Sequence, residues 1–168
     1  LVLCGFFLCF GGGAAAFAAP SVEEMAGQML LVGFKGQEPE ECGAILRDIQ
    51  TRHLGGVILF KRDARNAKLP RNIRDAAQVK RLIAALRGAS AGHPLFVAVD
   101  QEGGKVARFQ PGDGFPAYPS AAELGRGTPD ATRRTALGMG RMLRELGVNL
   151  NFAPVLDVNV YPASPAIG

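Results

Sequence analysis

Four short apolar runs, each parted from the next by one stretch of helical periodicity, constrain this chain more than any other feature. They are MLLVGF (Met29 to Phe34), GGVILF (Gly55 to Phe60), LFVAV (Leu95 to Val99) and, within VNLNFAPVLDV and interrupted by two asparagines, a fourth from Asn149 to about Ala153. Apolar runs of this length, bounded by glycine and polar residues, read as strands buried on both faces. Between them, Glu40 to His53 places Ile45, Leu46 and Ile49 on one helical face, and a segment from about Arg74 to Gly88 does the same with Ala77, Leu82, Ile83 and Leu86. A third helix is predicted from Pro129 to Leu146, with Thr128 as its N-cap and Gly147 as its stop. A long loop holding PGDGFPAYPSAAELG follows the third run. Strands alternating with helices call for a parallel sheet covered by helices, with the strands in sequential order.

At 168 residues the chain is long enough for one domain with a substantial core and too short for two large ones. A doubly wound dinucleotide-binding sheet needs G-x-G-x-x-G at its first strand-to-helix turn, where this chain reads GFKGQEPEECG. The GMG at Gly138 to Gly140 lies inside a predicted helix, and no Walker loop, H-E-x-x-H or paired C-x-x-C is present. Cofactor chemistry of those kinds is therefore not expected.

The first eighteen residues differ in kind from the rest. LVLCGFFLCF is an unbroken apolar segment, and Ala16-Phe17-Ala18 has the small-x-small pattern of a signal-peptidase site, so residues 1–18 read as an export signal clipped at its start. The apolar run is too short for a stable membrane span, and lipid attachment at Cys4 or Cys9 is the weaker alternative. The expected location is periplasmic or extracellular. Cys42 is then the one cysteine of the mature part, which excludes an internal disulfide framework.

The net charge of +4 is unevenly spread, with nine Lys or Arg against two Asp between Lys61 and Arg87. No aromatic residues interleave with these charges to stack bases, so a solvated loop and helix face is the better reading and nucleic acid is not an expected partner. In parallel α/β folds, function gathers where strands end. The residues just past the four runs form a polar ring of Lys35, then Lys61, Arg62 and Asp63, then Asp100, Gln101 and Glu102, then Asp157.

Four of these stretches, GQMLLVGFKG at 27–36, GGVILFKRD at 55–63, DQEGGKVARF at 100–109 and NFAPVLDVN at 151–159, together resemble the N-terminal region of family 3 glycoside hydrolases. The branch they resemble most is that of the bacterial β-N-acetylhexosaminidases. The resemblance implies an α/β fold of the TIM (β/α)8 barrel family, of which residues 19–168 supply about the first four β/α units. It also implies a retaining hydrolase acting on terminal β-linked N-acetylglucosamine in cell-wall or chitin-type oligosaccharides, without metal or cofactor.

The positions matching Asp100 and Arg108 contact the terminal sugar in that family. The physical reading agrees, since a carboxylate fixed at a strand tip accepts from two neighbouring hydroxyls and an arginine on the same loop donates back. An Asp–Arg ion pair that merely pins the loop is the alternative. Gly103 and Gly104 let the backbone turn sharply and leave room near the chain for a ring. Glu102 reads as structural, and Asp157 as orienting the site or supporting its loops. Whether Lys61 and Arg62 face the site stays open.

Retaining hydrolysis needs a nucleophile and an acid/base about 5 Å apart. The resemblance implies an Asp nucleophile and a His acid/base on later strands, expected beyond Gly168, so no catalytic residue is assigned in this chain. His53 and His93 precede the second and third strands and read as ordinary residues of the face opposite the site. Two alternatives remain: a non-catalytic sugar-binding or interaction protein built on the same half-barrel, and, more weakly, a metal-dependent hydrolase using Asp63, Asp100, Glu102 and Asp157. The oligomeric state is not legible.

Overall fold

A computed structural model of the chain describes residues 19–158 and 160. The expected signal segment, with Cys4 and Cys9, lies outside them. Helix α1 (Val22–Gln28) leads into β1 (Leu31–Gly33), followed by α2 (Gly43–Arg52), β2 (Gly56–Ile58), α3 (Ala76–Ala89), β3 (Phe96–Val99), α4 (Ala121–Gly125), α5 (Pro129–Leu146) and β4 (Leu150–Asn151). The strands form one parallel sheet in the order β1-β2-β3-β4, as the apolar runs predict. Leu31 pairs with Gly56, Val57 with Val97 and Ala98 with Leu150.

The ladders are shorter than the runs because the backbone at both ends bonds elsewhere. Before β2, Gly55 N–H donates to the Gly27 carbonyl at 2.9 Å. After it, Phe60 N–H donates to Asn72 Oδ1 at 3.0 Å, and Asn72 N–H returns a bond to the Phe60 carbonyl at 2.9 Å. At the other joint, Asn149 Oδ1 accepts from Val97 N–H at 2.7 Å while its Nδ2 donates to the Leu95 carbonyl at 3.0 Å, fixing the start of β4 against β3.

Local chemistry sets the helix limits. Asp75 caps α3 by accepting from Gln78 N–H at 2.9 Å, which starts the helix after the basic loop. Thr128 Oγ1 accepts from Ala131 N–H at 3.2 Å, Pro129 occupies the first turn of α5, and Gly147 ends it at φ 96°. The predicted helix from Glu40 begins instead as a 3₁₀ turn, Pro39–Glu41, and becomes α-helical after Cys42. Two short helices lie outside the apolar periodicity: α1 and α4 each open with a serine-glutamate capping box, Ser21 with Glu24 and Ser120 with Glu123.

The core fills the space between sheet and helices. Val57, Leu59, Val79, Leu82, Leu86, Val97 and Val99 are wholly buried, and α5 adds Met139, Met142, Leu143 and Leu146. Burying each such side chain contributes about 1.5–3 kcal/mol. Cys42 belongs to this core, with its thiol pushed up to about 11, chiefly by burial and further by the neighbouring Glu41 and Glu40 charges. It is an inert packing residue. Among the described residues, no helix is long and apolar enough to cross a membrane.

Candidate sugar-binding site

Because every strand runs the same way, the segments after Gly33, Ile58, Val99 and Asn151 emerge at one end of the sheet. The loop after β3 is shaped there by Gln101, which is wholly buried. Its Oε1 accepts from Arg108 N–H at 2.9 Å and Phe109 N–H at 3.0 Å, and its Nε2 donates to the Phe109 carbonyl at 3.1 Å. Its own backbone is held by Asn151, whose Oδ1 accepts from Gln101 N–H at 2.9 Å and whose Nδ2 donates to the Gln101 carbonyl at 3.0 Å. Residues 101 and 108 are thus brought together from both sides.

The loop turns through Gly103, at φ 98°, and Gly104, at φ 55°. A Cβ on Gly103 would sit 2.1 Å from the Pro119 carbonyl oxygen, and one on Gly104 2.6 Å from Ser120 Cβ. The space around both glycines is taken by the chain's own 118–120 segment, which Gly104 N–H also binds through the Tyr118 carbonyl at 2.9 Å. These glycines serve a sharp turn and a close loop contact, rather than the room for a ring that the sequence suggested.

The turn sets Arg108 against Asp100, with Nη2 donating to Oδ2 at 2.8 Å and each side chain about a quarter exposed. This is a single contact, where a fork-to-fork pair would make two. Arg108 Nε is the one buried side-chain nitrogen or oxygen without a hydrogen-bond partner among the described residues. Its guanidinium carbon lies 5.8 Å from the centre of the Phe60 ring, over which Arg71 also sits at 4.8 Å. The site therefore presents a partly open carboxylate singly bonded to a partly open arginine, whose buried Nε has no hydrogen-bond partner.

Lys61, which follows β2, binds Gln110 Oε1 at 2.8 Å and the Asp113 carboxylate, so it anchors the far end of the same loop. Arg62 is exposed. Lys35 pairs with the buried Asp63 at 2.5 Å. That lysine, together with Arg65 N–H, holds the Asp63 carboxyl below its ordinary range. Burial raises the Glu102 carboxyl, as does the Asp100 charge; Arg108 opposes the shift and Asp157, itself exposed, adds to it. Glu102 also lines a cleft of about 470 Å³ between the ends of β3 and β4 and helices α4 and α5, with Gln101, Leu124, Met139, Asn151 and Pro154.

Asp100, Arg108, Gly103 and Gly104 are thus one loop, and Glu102 and Asp157 lie within its electrostatic reach. The four acids of the metal-hydrolase alternative do not gather. Among the described residues, the one place where three His, Cys, Asp or Glu side chains come within ligand reach of a common point is at the sheet's other end, and consists of Glu24, His53 and His93. The sequence places Gln101 in the polar ring without giving it a role, and singles out neither Asn151, Phe60 nor Asp113 for the site. Gln101 and Asn151 stood inside the quoted motifs, but nothing local marks a pair fifty residues apart.

The model of the glycosyl hydrolase family 3 N-terminal domain matches residues 21–168. Beta-hexosaminidase A of Pseudoalteromonas piscicida is 30% identical over 183 residues, covering 96% of this chain and 29% of the relative. Beta-hexosaminidase of Bordetella pertussis is 40% identical over 129 residues, 73% of this chain and 33% of the relative. A solved family 3 β-N-acetylglucosaminidase from Paenibacillus sp. str. FPU-7 superposes with a TM-score of 0.76 at 35% identity, over 89% of this chain and 27% of that one. The chain spans about a third of the length of the curated relatives it matches.

Proposed function

This chain belongs to glycosyl hydrolase family 3, with its sheet as a partial TIM-type barrel, and from that membership we propose that it is the sugar-binding part of a β-N-acetylhexosaminidase. The substrate class is terminal non-reducing β-linked N-acetylglucosamine in cell-wall or chitin-type oligosaccharides. The observation that carries this reading is the Asp100–Arg108 pair at the tip of β3, singly bonded and partly open.

In this reading the Asp100 carboxylate accepts from two adjacent hydroxyls of the sugar, and Arg108 donates to an oxygen of the same ring. Charge-assisted bonds of this kind are directional and hold the anomeric carbon in one place. The bond is broken with retention: an Asp nucleophile attacks the anomeric carbon while a His donates a proton to the leaving oxygen, and water then releases the sugar. In this reading both groups come from strands of the barrel other than the four described. Export directed by residues 1–18, with cleavage after Ala18, belongs to the same proposal.

The test is Asp100→Ala in the chain completed by a homologous C-terminal half. With an aryl N-acetyl-β-glucosaminide, kcat/KM should fall at least tenfold, because losing a charge-assisted bond costs about 1.5–3 kcal/mol. An unchanged kcat/KM would remove the sugar-binding role of this loop. Comparing the aryl β-glucoside measures the preference for the N-acetyl group.

A further inference from the structure

At the end of the sheet opposite the sugar site, three segments distant in sequence deliver chemically matched side chains to one point. Glu24 comes from α1, His53 from the C-terminus of α2, and His93 from the turn between α3 and β3. One ligand atom of each lies within 4.8 Å of the other two, and the imidazole ring centres are 5.3 Å apart. We propose that these residues bind one divalent transition-metal ion, with zinc the best fit, as a clamp joining the N-terminal helix to the bottom of the sheet.

The donor set argues for the class of ion. Two imidazoles and a carboxylate make the three-ligand shell on which zinc completes a tetrahedron with water, whereas magnesium and calcium favour oxygen throughout. Zn–N bonds of about 2.0–2.1 Å at tetrahedral angles put ligand atoms about 3.3 Å apart. From atoms within 4.8 Å of one another the set must close further on binding, with Glu24 and His53 half-buried and His93 exposed.

The surroundings hold the other two ligands in place. Glu24 Oε2 is engaged by Ser21 N–H at 2.7 Å, which orients the carboxylate and leaves Oε1 for the ion. Helix α1 touches the α2–β2 turn backbone to backbone: a Cβ on Gly27 would stand 1.9 Å from the Arg52 carbonyl oxygen, and one on Gly55 2.0 Å from that of Gln28. Gln28 Nε2 donates to the His53 carbonyl at 2.7 Å. His53 has φ 52° and Ala91, two residues before His93, has φ 50°, and these are the two non-glycine residues with positive φ among those described. Such backbone is costly and persists where the surrounding structure fixes it. The N-terminal face of a barrel carries stability rather than chemistry, so the expected role is structural.

The test uses tag-free full-length protein stripped with a chelator and titrated with zinc chloride by calorimetry. The parent should bind one more equivalent of zinc at micromolar Kd or tighter than either His53→Asn or His93→Gln, each of which should weaken that site at least 100-fold. Zinc should raise the thermal midpoint of the parent and not of the variants, and magnesium or calcium should raise neither. Cobalt(II) in the site should show the visible absorption of a tetrahedral ion. Asn is chosen at 53 because it tolerates the left-handed conformation, and His93→Gln, in an exposed turn, decides alone if the first variant does not fold. A parent that binds no zinc, binds it only at millimolar Kd, or binds it equally in the variants overturns the proposal.

Discussion

Replacing Gln101 with a leucine of similar size leaves Arg108 N–H, Phe109 N–H and the Phe109 carbonyl without their partners in a wholly buried position. Stranded groups of this kind cost about 1–3 kcal/mol each before the loop relaxes. Gln101→Leu is therefore expected to lower stability by about 2–4 kcal/mol in urea unfolding, and to raise KM in the completed enzyme because Arg108 loses its seat. Asp63 acts through charge. Its carboxyl is held low in the fold, first by Lys35 and then by Arg65 N–H, so its contribution is complete above the ordinary Asp range and is lost as pH falls through the lower, folded value. Stability should stay level on mild acidification and decline below the ordinary carboxylate range. Asp63→Asn should be less stable at neutral pH and show a shallower decline in acid, as followed by thermal unfolding across pH.

At the scale of elements, α5 rests on its cap. Thr128→Ala removes the acceptor for Ala131 N–H and should cost about 1 kcal/mol, read from the urea midpoint at unchanged slope. The same chemistry explains which elements were legible beforehand. The limits of α5 were, because Thr128, Pro129 and Gly147 act within a few residues of themselves. So were the first three strands, as apolar runs; the fourth was placed although Asn149 and Asn151 interrupt its run. Helices α1 and α4 were not, although Ser21 with Glu24 and Ser120 with Glu123 spell out a capping box: helices this short expose too few residues to show an apolar stripe. Asp100 and Arg108 could be proposed because they follow a strand within one motif. The Lys61 contacts to Gln110 and Asp113, the Gln101–Asn151 exchange and the meeting of His53 with His93 join distant segments, and only the folded chain reveals them.

Across the whole molecule, β1 and β4 each pair on one side only among the described residues. Leu30, Phe96, Phe152 and Leu156 are about half exposed or more. Unpaired strand edges beside exposed apolar side chains invite pairing with another chain, a hazard that barrel closure removes. Residues 19–168 produced alone should be poorly soluble or elute as dimers or larger species in size-exclusion chromatography with light scattering, and should not cleave an aryl N-acetyl-β-glucosaminide above background. Joined to a closing half, the chain should elute as a discrete species. The joints between strands and loops have a different consequence. Asn72, Gln78, Gln101, Asn149 and Asn151 bond the backbone at nearly every one of them. All five are carboxamides, with no proton to gain or lose where carboxylates and imidazoles change charge. These five joints are therefore silent in a titration, although the loop they hold also carries the Lys61–Asp113 ion pair and Glu102. A bell-shaped pH–rate curve for the completed enzyme would then carry no contribution from these five side chains.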